Sequence, residues 1–345
     1  MNSRVFAYLA FAALLCSSCL TEEFIETKDK SDKIVMNAQF TTMDDGWKVA
    51  LSKSSVNSLV KVAGADVRAS VNGNPAVKGV EFVPDESDAW MYDYTNYTDY
   101  SFNAPVNPGD RLFLTASTKD GLVVSADFQV PTRIEMDSVD TLRTIIHGMY
   151  SDDEYFQFKI KITDPAETDD YYRLRFFKTE EYVLDGGEWV KRTSEIRGDG
   201  SSDPIITEGQ AGTTPDLLTE IFGGGNDYLI FNDDLFSGET RTIRINFYHY
   251  YLNASFDYMR PDAEYKPGIV TVVLEHLSFA HYHYYRALQN METFGYDASF
   301  LFEPSTVPVN VKDGLGFVGV EAASTPVSFK IPHDWYDPFV ENYGI

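Results

Sequence analysis

Few residues of this chain have the type and spacing to do chemistry. Two cysteines, Cys16 and Cys19, lie near the start, and six histidines are scattered at 147, 249, 276, 281, 283 and 333. The run His276-x4-His281-x-His283 invites a metal reading. It lacks the His-Glu-x-x-His spacing that sets two imidazoles on one helical face. Interfacial histidines on an aromatic-rich helix are expected instead, with His276 and His283 on one face and His281 elsewhere. No Gly-x-Ser-x-Gly elbow presents a serine nucleophile. Phe222-Gly-Gly-Gly-Asn226 has no phosphate-binding lysine behind it and reads as a loop. With 53 Asp and Glu, a glycosidase-like carboxylate pair can be found anywhere and so carries no information. Three acidic clusters, Asp152-Asp153-Glu154, Glu167-Thr168-Asp169-Asp170 and Asp233-Asp234, offer the hard oxygens that Ca²⁺ takes, without EF-hand spacing. A solvated acidic surface is expected there. No catalytic residue, metal or cofactor is assigned, and a hydrolase is the least favoured class.

The first eighteen residues read as a targeting leader. Arg4 is their only charge, and the apolar run 5–15 is shorter than the roughly 20 residues of a membrane-spanning helix but suits a signal peptide. Ser17 and Ser18 before Cys19 resemble a bacterial lipobox, in which cleavage precedes a Cys whose thiol carries diacylglycerol. Leu14 and Leu15 before Cys16 do not fit. Cys19 is therefore the expected lipidation site, with an ordinary secretory signal as the alternative. Cys16 leaves with the leader, so no thiol remains for a disulfide, a nucleophile or a zinc ligand. Loss of Arg4 takes the net charge from −25 to −26. That balance excludes a phosphate-backbone binder.

Aromatics are the other conspicuous class, at 14% of residues. Trp90, Tyr92, Tyr94, Tyr97 and Tyr100 are interleaved with small polar residues, and rings two apart share one strand face. Tyr and Trp give recognition surfaces a large amphipathic area at low rotamer cost, so these five are the candidate contacts to a ligand or partner. Packing on a sheet or over a domain junction is the competing role. Ser138 and Thr141, each between an Asp and an apolar residue, are candidate O-glycosylation sites.

The elements that must position these residues are mostly strands. At about 150 residues per domain, 345 residues suggest two. Residues 19–32 read as a lipidated tether. From Lys33, short alternating segments with Asp-Asp-Gly, Asn-Gly-Asn-Pro and Asp-Gly turns predict an immunoglobulin-like β-sandwich over 33–132, ending at Pro131. A second β-rich domain over 133–345 contains clear strands at 154–162, 171–177, 241–247 and 268–274. Residues 184–226 read as long loops. One helix, capped by Ser278, is expected near 278–291. A looped, Gly- and Pro-punctuated segment then precedes a last strand at 326–331.

Several segments together resemble one family. They are Ile34-Val-Met-Asn-Ala-Gln-Phe with Trp47-Lys-Val-Ala-Leu-Ser, Pro108-Gly-Asp-Arg-Leu-Phe-Leu, Thr163-Asp-Pro-Ala-Glu with Tyr171-Tyr-Arg-Leu, Leu274-Glu-His-Leu-Ser with Tyr284-Tyr-Arg-Ala-Leu, and the stretch from Val307 to Gly319. In this order they look like the Bacteroidetes lipoprotein family called domain of unknown function 4249, over roughly 33–330. The resemblance implies an outer-membrane lipoprotein without established catalytic residues, acting as an accessory or substrate-capture partner of a TonB-dependent transporter. Glu22 and Glu23 behind Cys19 resemble the acidic signal that exports such lipoproteins to the cell surface. A free-standing ligand-binding or adhesive lipoprotein is the alternative.

Overall fold

The structure is a computed structural model that describes residues 32–55, 58–83, 96–147, 152–166, 168–183, 187–208, 226–248, 252, 264–266, 268–294 and 307–331. Cys19, Trp90, Tyr92 and Tyr94 lie outside these residues. The first half contains β1 (Ile34–Thr41), β2 (Trp47–Ser54), β3 (Leu59–Lys61), β4 (Asp66–Val71), β5 (Val77–Lys78), β6 (Val80–Glu81), β7 (Thr98–Phe102), β8 (Arg111–Ser117) and β9 (Val123–Gln129). They form two sheets, one ordered β1-β2-β7-β6 with β3 on β2, the other β5-β4-β8-β9. Period-two alternation sends Met36, Ala38 and Phe40 from the first sheet, and Leu112, Leu114 and Ala116 from the second, into one core. Trp47 stacks between Phe40 and Phe102 at 4.6 and 4.3 Å. Its indole N–H donates to the Ala104 carbonyl at 2.8 Å, which satisfies a buried donor.

The second half contains β10 (Met136–His147), β11 (Asp152–Thr163), β12 (Tyr171–Val183), β13 (Trp189–Ile196), α1 (Pro204–Glu208), β14 (Ile230–Asn232), β15 (Thr240–Tyr248), β16 (Glu264–Tyr265), β17 (Ile269–Leu277), α2 (Phe279–Phe294), β18 (Val318–Ala323) and β19 (Val327–Lys330). The three-stranded sheet β10-β11-β15 packs on β12 and β17 through Phe156, Phe158, Ile160, Ile243, Phe247, Phe176 and Val272. The fold is mostly β, as expected, and Ser278 caps α2 by accepting the His281 N–H at 3.2 Å.

Three segments differ from expectation. Residues 189–196, read as loop, form β13 because Phe176 to Val183 of β12 supply a ladder. The helix near 278–291 is not alone among the described residues. Asp203 accepts the Ile205 N–H at 3.0 Å and starts α1, with Pro204 in the first turn. The larger difference is β18, read as looped. It pairs parallel with β1, Ala38 opposite Val318, and antiparallel with β17, Glu275 opposite Ala323. A single sheet therefore runs β13-β12-β17-β18-β1-β2-β7-β6 through both halves.

The change of core falls between Val130 and Ile134. The second unit is not the continuous stretch 133–345, however. Val311, Val318 and Val320 belong to the first core. Gly316 makes this return possible. Its φ is +104°, and a Cβ there would lie 2.3 Å from the Met36 carbonyl oxygen.

Candidate functional site

Strand register decides what meets what. β12 and β17 run antiparallel with Tyr172 opposite His276 and Arg173 opposite Glu275. Successive side chains point to opposite faces, so the same strand pair carries two polar clusters, one per face.

The outer cluster lies under α2. Register places Arg173 and Arg175 of β12, Glu195 of β13, Glu275 of β17 and Glu321 of β18 on this face. Arg175 grips Glu195 with Nε and Nη2 at 3.0 and 2.7 Å and reaches Glu275 at 3.2 Å. Arg173 donates to the Tyr285 hydroxyl at 2.9 Å and to Glu321 at 3.2 Å. The Tyr285 hydroxyl in turn donates to Glu321. Burial, then the neighbouring Glu321 charge, raises Glu275 well above the usual carboxylate range. Burial acts the same way on Glu321, but a hydrogen bond with Glu275, neighbouring His281 and Arg173, and the Tyr285 hydroxyl outweigh it and hold that carboxyl down to about 2. One proton shared on the Glu275 side leaves two guanidiniums facing two carboxylates, Glu195 and Glu321. Among the described residues Glu275 Oε2 has no hydrogen-bond partner, with Arg173 Nη1 3.7 Å away. His281 of α2 is fully buried beside this cluster, 3.6 Å from Glu321, and stacks on Tyr285. Burial lowers its pKa to about 4, with Arg173 adding to the effect and Glu321 opposing it.

The inner cluster faces the second core. His276 Nε2 lies 2.9 Å from Asp170 Oδ1, and its Nδ1 lies 2.8 Å from the Thr132 carbonyl. The ring thus faces acceptors on both nitrogens. Thr168 donates to Asp170 Oδ2 at 2.6 Å. Tyr172 donates to Asp164 Oδ1, and the Gly238 N–H donates to Asp164 Oδ2 at 3.1 Å. Asp233 completes the group. Carboxylate oxygens of Asp164, Asp170 and Asp233 lie within 4.8 Å of one another. The three residues are only 3%, 4% and 3% exposed.

These placements revise several expectations. Asp170 and Asp233 do not lie on a solvated acidic surface; they are buried side by side. His276 is on a strand rather than on the helix, and it is His281 that points into the buried network. His283 is half-buried against the Phe279 ring at 4.2 Å. Of the five aromatic candidates, Tyr97 is exposed just before β7. Tyr100 is corrected to a core ring. It is 1% exposed, and its hydroxyl accepts the Ala65 N–H and donates to the Val62 carbonyl, both at 3.0 Å. Ser138 is exposed and Thr141 half-buried, both within the β10 ladder. Asp164, Arg173, Arg175, Glu195, Glu275 and Glu321 escaped selection from sequence. Their signal was faint: charged residues placed at alternate positions of otherwise apolar strands.

The fold and these clusters define a class, a β protein with separate hydrophobic cores in its two halves, whose polar residues are drawn inward at the junction of its strands. The sequence profile of the family described as domain of unknown function (DUF4249) matches residues 21–326, and the chain belongs to that family. No curated protein matches. Among solved structures, a DUF4785 family protein from Legionella pneumophila subsp. pneumophila is similar over 70% of this chain at 10% identity and a TM-score of 0.21. The chain spans about half of that protein's length (52%), and a score so low carries no argument.

Proposed function

We propose that this protein is an outer-membrane lipoprotein, anchored through Cys19 and facing the cell exterior, that serves a TonB-dependent transporter as a non-catalytic accessory or substrate-capture partner. The observation that carries the reading is an apolar fringe on the first sandwich. Val77, Val80, Val83 and Tyr97 are exposed, Val80 and Val83 at 70% and 75%. They border the segment holding Trp90, Tyr92 and Tyr94. Exposed apolar residues in a stretch of chain rich in Trp and Tyr are the composition of a docking surface. Val80 pairs with Ser101 of β7, so a sheet edge holds it in place. Among the described residues, no helix is long and apolar enough to cross a membrane. The lipobox at Cys19, with Glu22 and Glu23 behind it, supplies the anchor and the export signal in this reading.

Mild detergent extraction followed by affinity capture tests it. The intact protein is expected to bring down a TonB-dependent transporter, and a Val80→Glu/Val83→Glu variant to lose it while keeping its thermal stability. Capture of no transporter would leave a free-standing ligand-binding lipoprotein as the better account. Cys19→Ala is expected to abolish labelling by a clickable palmitate analogue.

A further inference from the structure

The inner cluster gathers more negative charge than its surroundings neutralise. Among the described residues, no Lys or Arg forms an ion pair with Asp164, Asp170 or Asp233; the His276 ring lies 2.9 Å from Asp170. Asp164 and Asp170 each use both oxygens as acceptors, yet a carboxylate oxygen has two lone-pair directions, so each retains acceptor capacity. Asp233 differs. Its backbone N–H donates to the Asp170 carbonyl at 3.2 Å, but its side-chain Oδ2 is buried with no hydrogen-bond partner among the described residues. Burial, then the nearby Asp164 charge, raises the Asp233 pKa. A buried orphan oxygen among carboxylates marks a place where a group is missing from the hydrogen-bond account.

The donors facing this place are all oxygen, which selects a hard cation over zinc or copper. His276 is not available as a ligand, because both its nitrogens are engaged. Mg²⁺ demands near-ideal octahedral geometry and keeps several waters. Ca²⁺ accepts irregular carboxylate sets in a dehydrated site. We propose that Asp164, Asp170 and Asp233 bind a calcium ion that ties the β11–β12 connection to the β14–β15 connection. A divalent ion offsets the charge of carboxylates buried this close together. The ion occupies the side of Asp233 to which no described residue hydrogen-bonds.

The test uses the full chain, stripped with EDTA and titrated calorimetrically with CaCl₂. One ion per chain is expected, with thermal unfolding raised by roughly 3–5 °C at a hundredfold excess over Kd. MgCl₂ at the same concentration is expected to do much less. Asp233→Asn should weaken Ca²⁺ binding at least tenfold, yet unfold in EDTA no earlier than the parent, because it removes a repelling charge. Asp234→Asn, at the exposed neighbour, should bind as the parent does. No calorimetric binding and equal unfolding in Ca²⁺ and EDTA would overturn the site whether or not the Asp233 variant folds. Equal affinity for Mg²⁺ would overturn the assignment to calcium, and earlier unfolding of the Asp233 variant in EDTA would mark that carboxylate as structural.

Discussion

Glu275 and Glu321 sit on adjacent strands and face the same two arginines, yet they do different things. Burial and the neighbouring Glu321 charge push the Glu275 carboxyl towards its neutral form, whereas Glu321, beside Arg173, is held low. Their amide variants should therefore diverge. Glu275→Gln keeps a neutral donor and is expected to change the unfolding free energy by less than about 1 kcal/mol. Glu321→Gln removes the carboxylate shared by Arg173 and the Tyr285 hydroxyl, leaves Arg173 to Glu195 at 3.3 Å and Glu275 at 3.7 Å, and is expected to cost roughly 3 kcal/mol. Urea unfolding of both variants at pH 7 checks this, and equal costs would refute the shared-proton arrangement. Composition alone could not separate the two residues. Both are acids in apolar strands, and which one keeps a proton depends on neighbours brought from five elements.

At the scale of the element, α2 shows how a readable segment acquires an unreadable role. Its Ser278 cap and its start are plain in the sequence. What it covers is not, since that depends on Gly319 of β18. A Cβ at Gly319 would lie 2.6 Å from His281 Nδ1, so the bare glycine admits the imidazole against the strand. The enclosed ring has consequences for pH. Its folded pKa of about 4 lies below the usual 6.5, so the unfolded chain takes up the proton first as pH falls. The stability gained by keeping the ring neutral is complete above pH 6.5 and is lost progressively towards pH 4, by about 3 kcal/mol. His281→Leu should lose less stability than the parent over this interval by about that amount, measured by urea unfolding at pH 7 and pH 4. Equal losses would show that the ring is not enclosed as described. Other elements were legible to different degrees. β11 declares itself by strict alternation of Phe156, Phe158, Ile160 and Ile162 with polar residues. β18 does not, because all six of its residues are buried, and Gly319 and Glu321 interrupt any apolar period.

For the whole molecule, β18 is the decisive strand. It contributes Val318 and Val320 to the first core and Glu321 to the charge network of the second half. Thr325 adds a further tie by donating its N–H to Glu135 at 2.8 Å. Two domains joined by a linker would unfold independently. Two cores sharing a strand and a continuous sheet should not. Urea unfolding followed by tryptophan fluorescence, with Trp47 in the first core and Trp189 on β13, is expected to superimpose on the far-UV circular dichroism transition. Two separated midpoints would show that β18 does not couple the halves.

The sequence by itself determined the β class, most strands of both halves and the capped helix. Each of these rests on local periodicity, turn chemistry or a short contiguous pattern. Only the tertiary structure decided that Asp164, Asp170 and Asp233 converge, that Tyr100 is a core ring, and that residues 311–320 return to the first sandwich. These depend on register and on contacts between residues far apart in the chain. Asp170 reaches Asp233 because β12 pairs with β14, and β18 is a strand because β1 and β17 offer it edges. No local pattern encodes those partners, since a strand's ladder is completed by whichever chain segment the whole fold brings alongside.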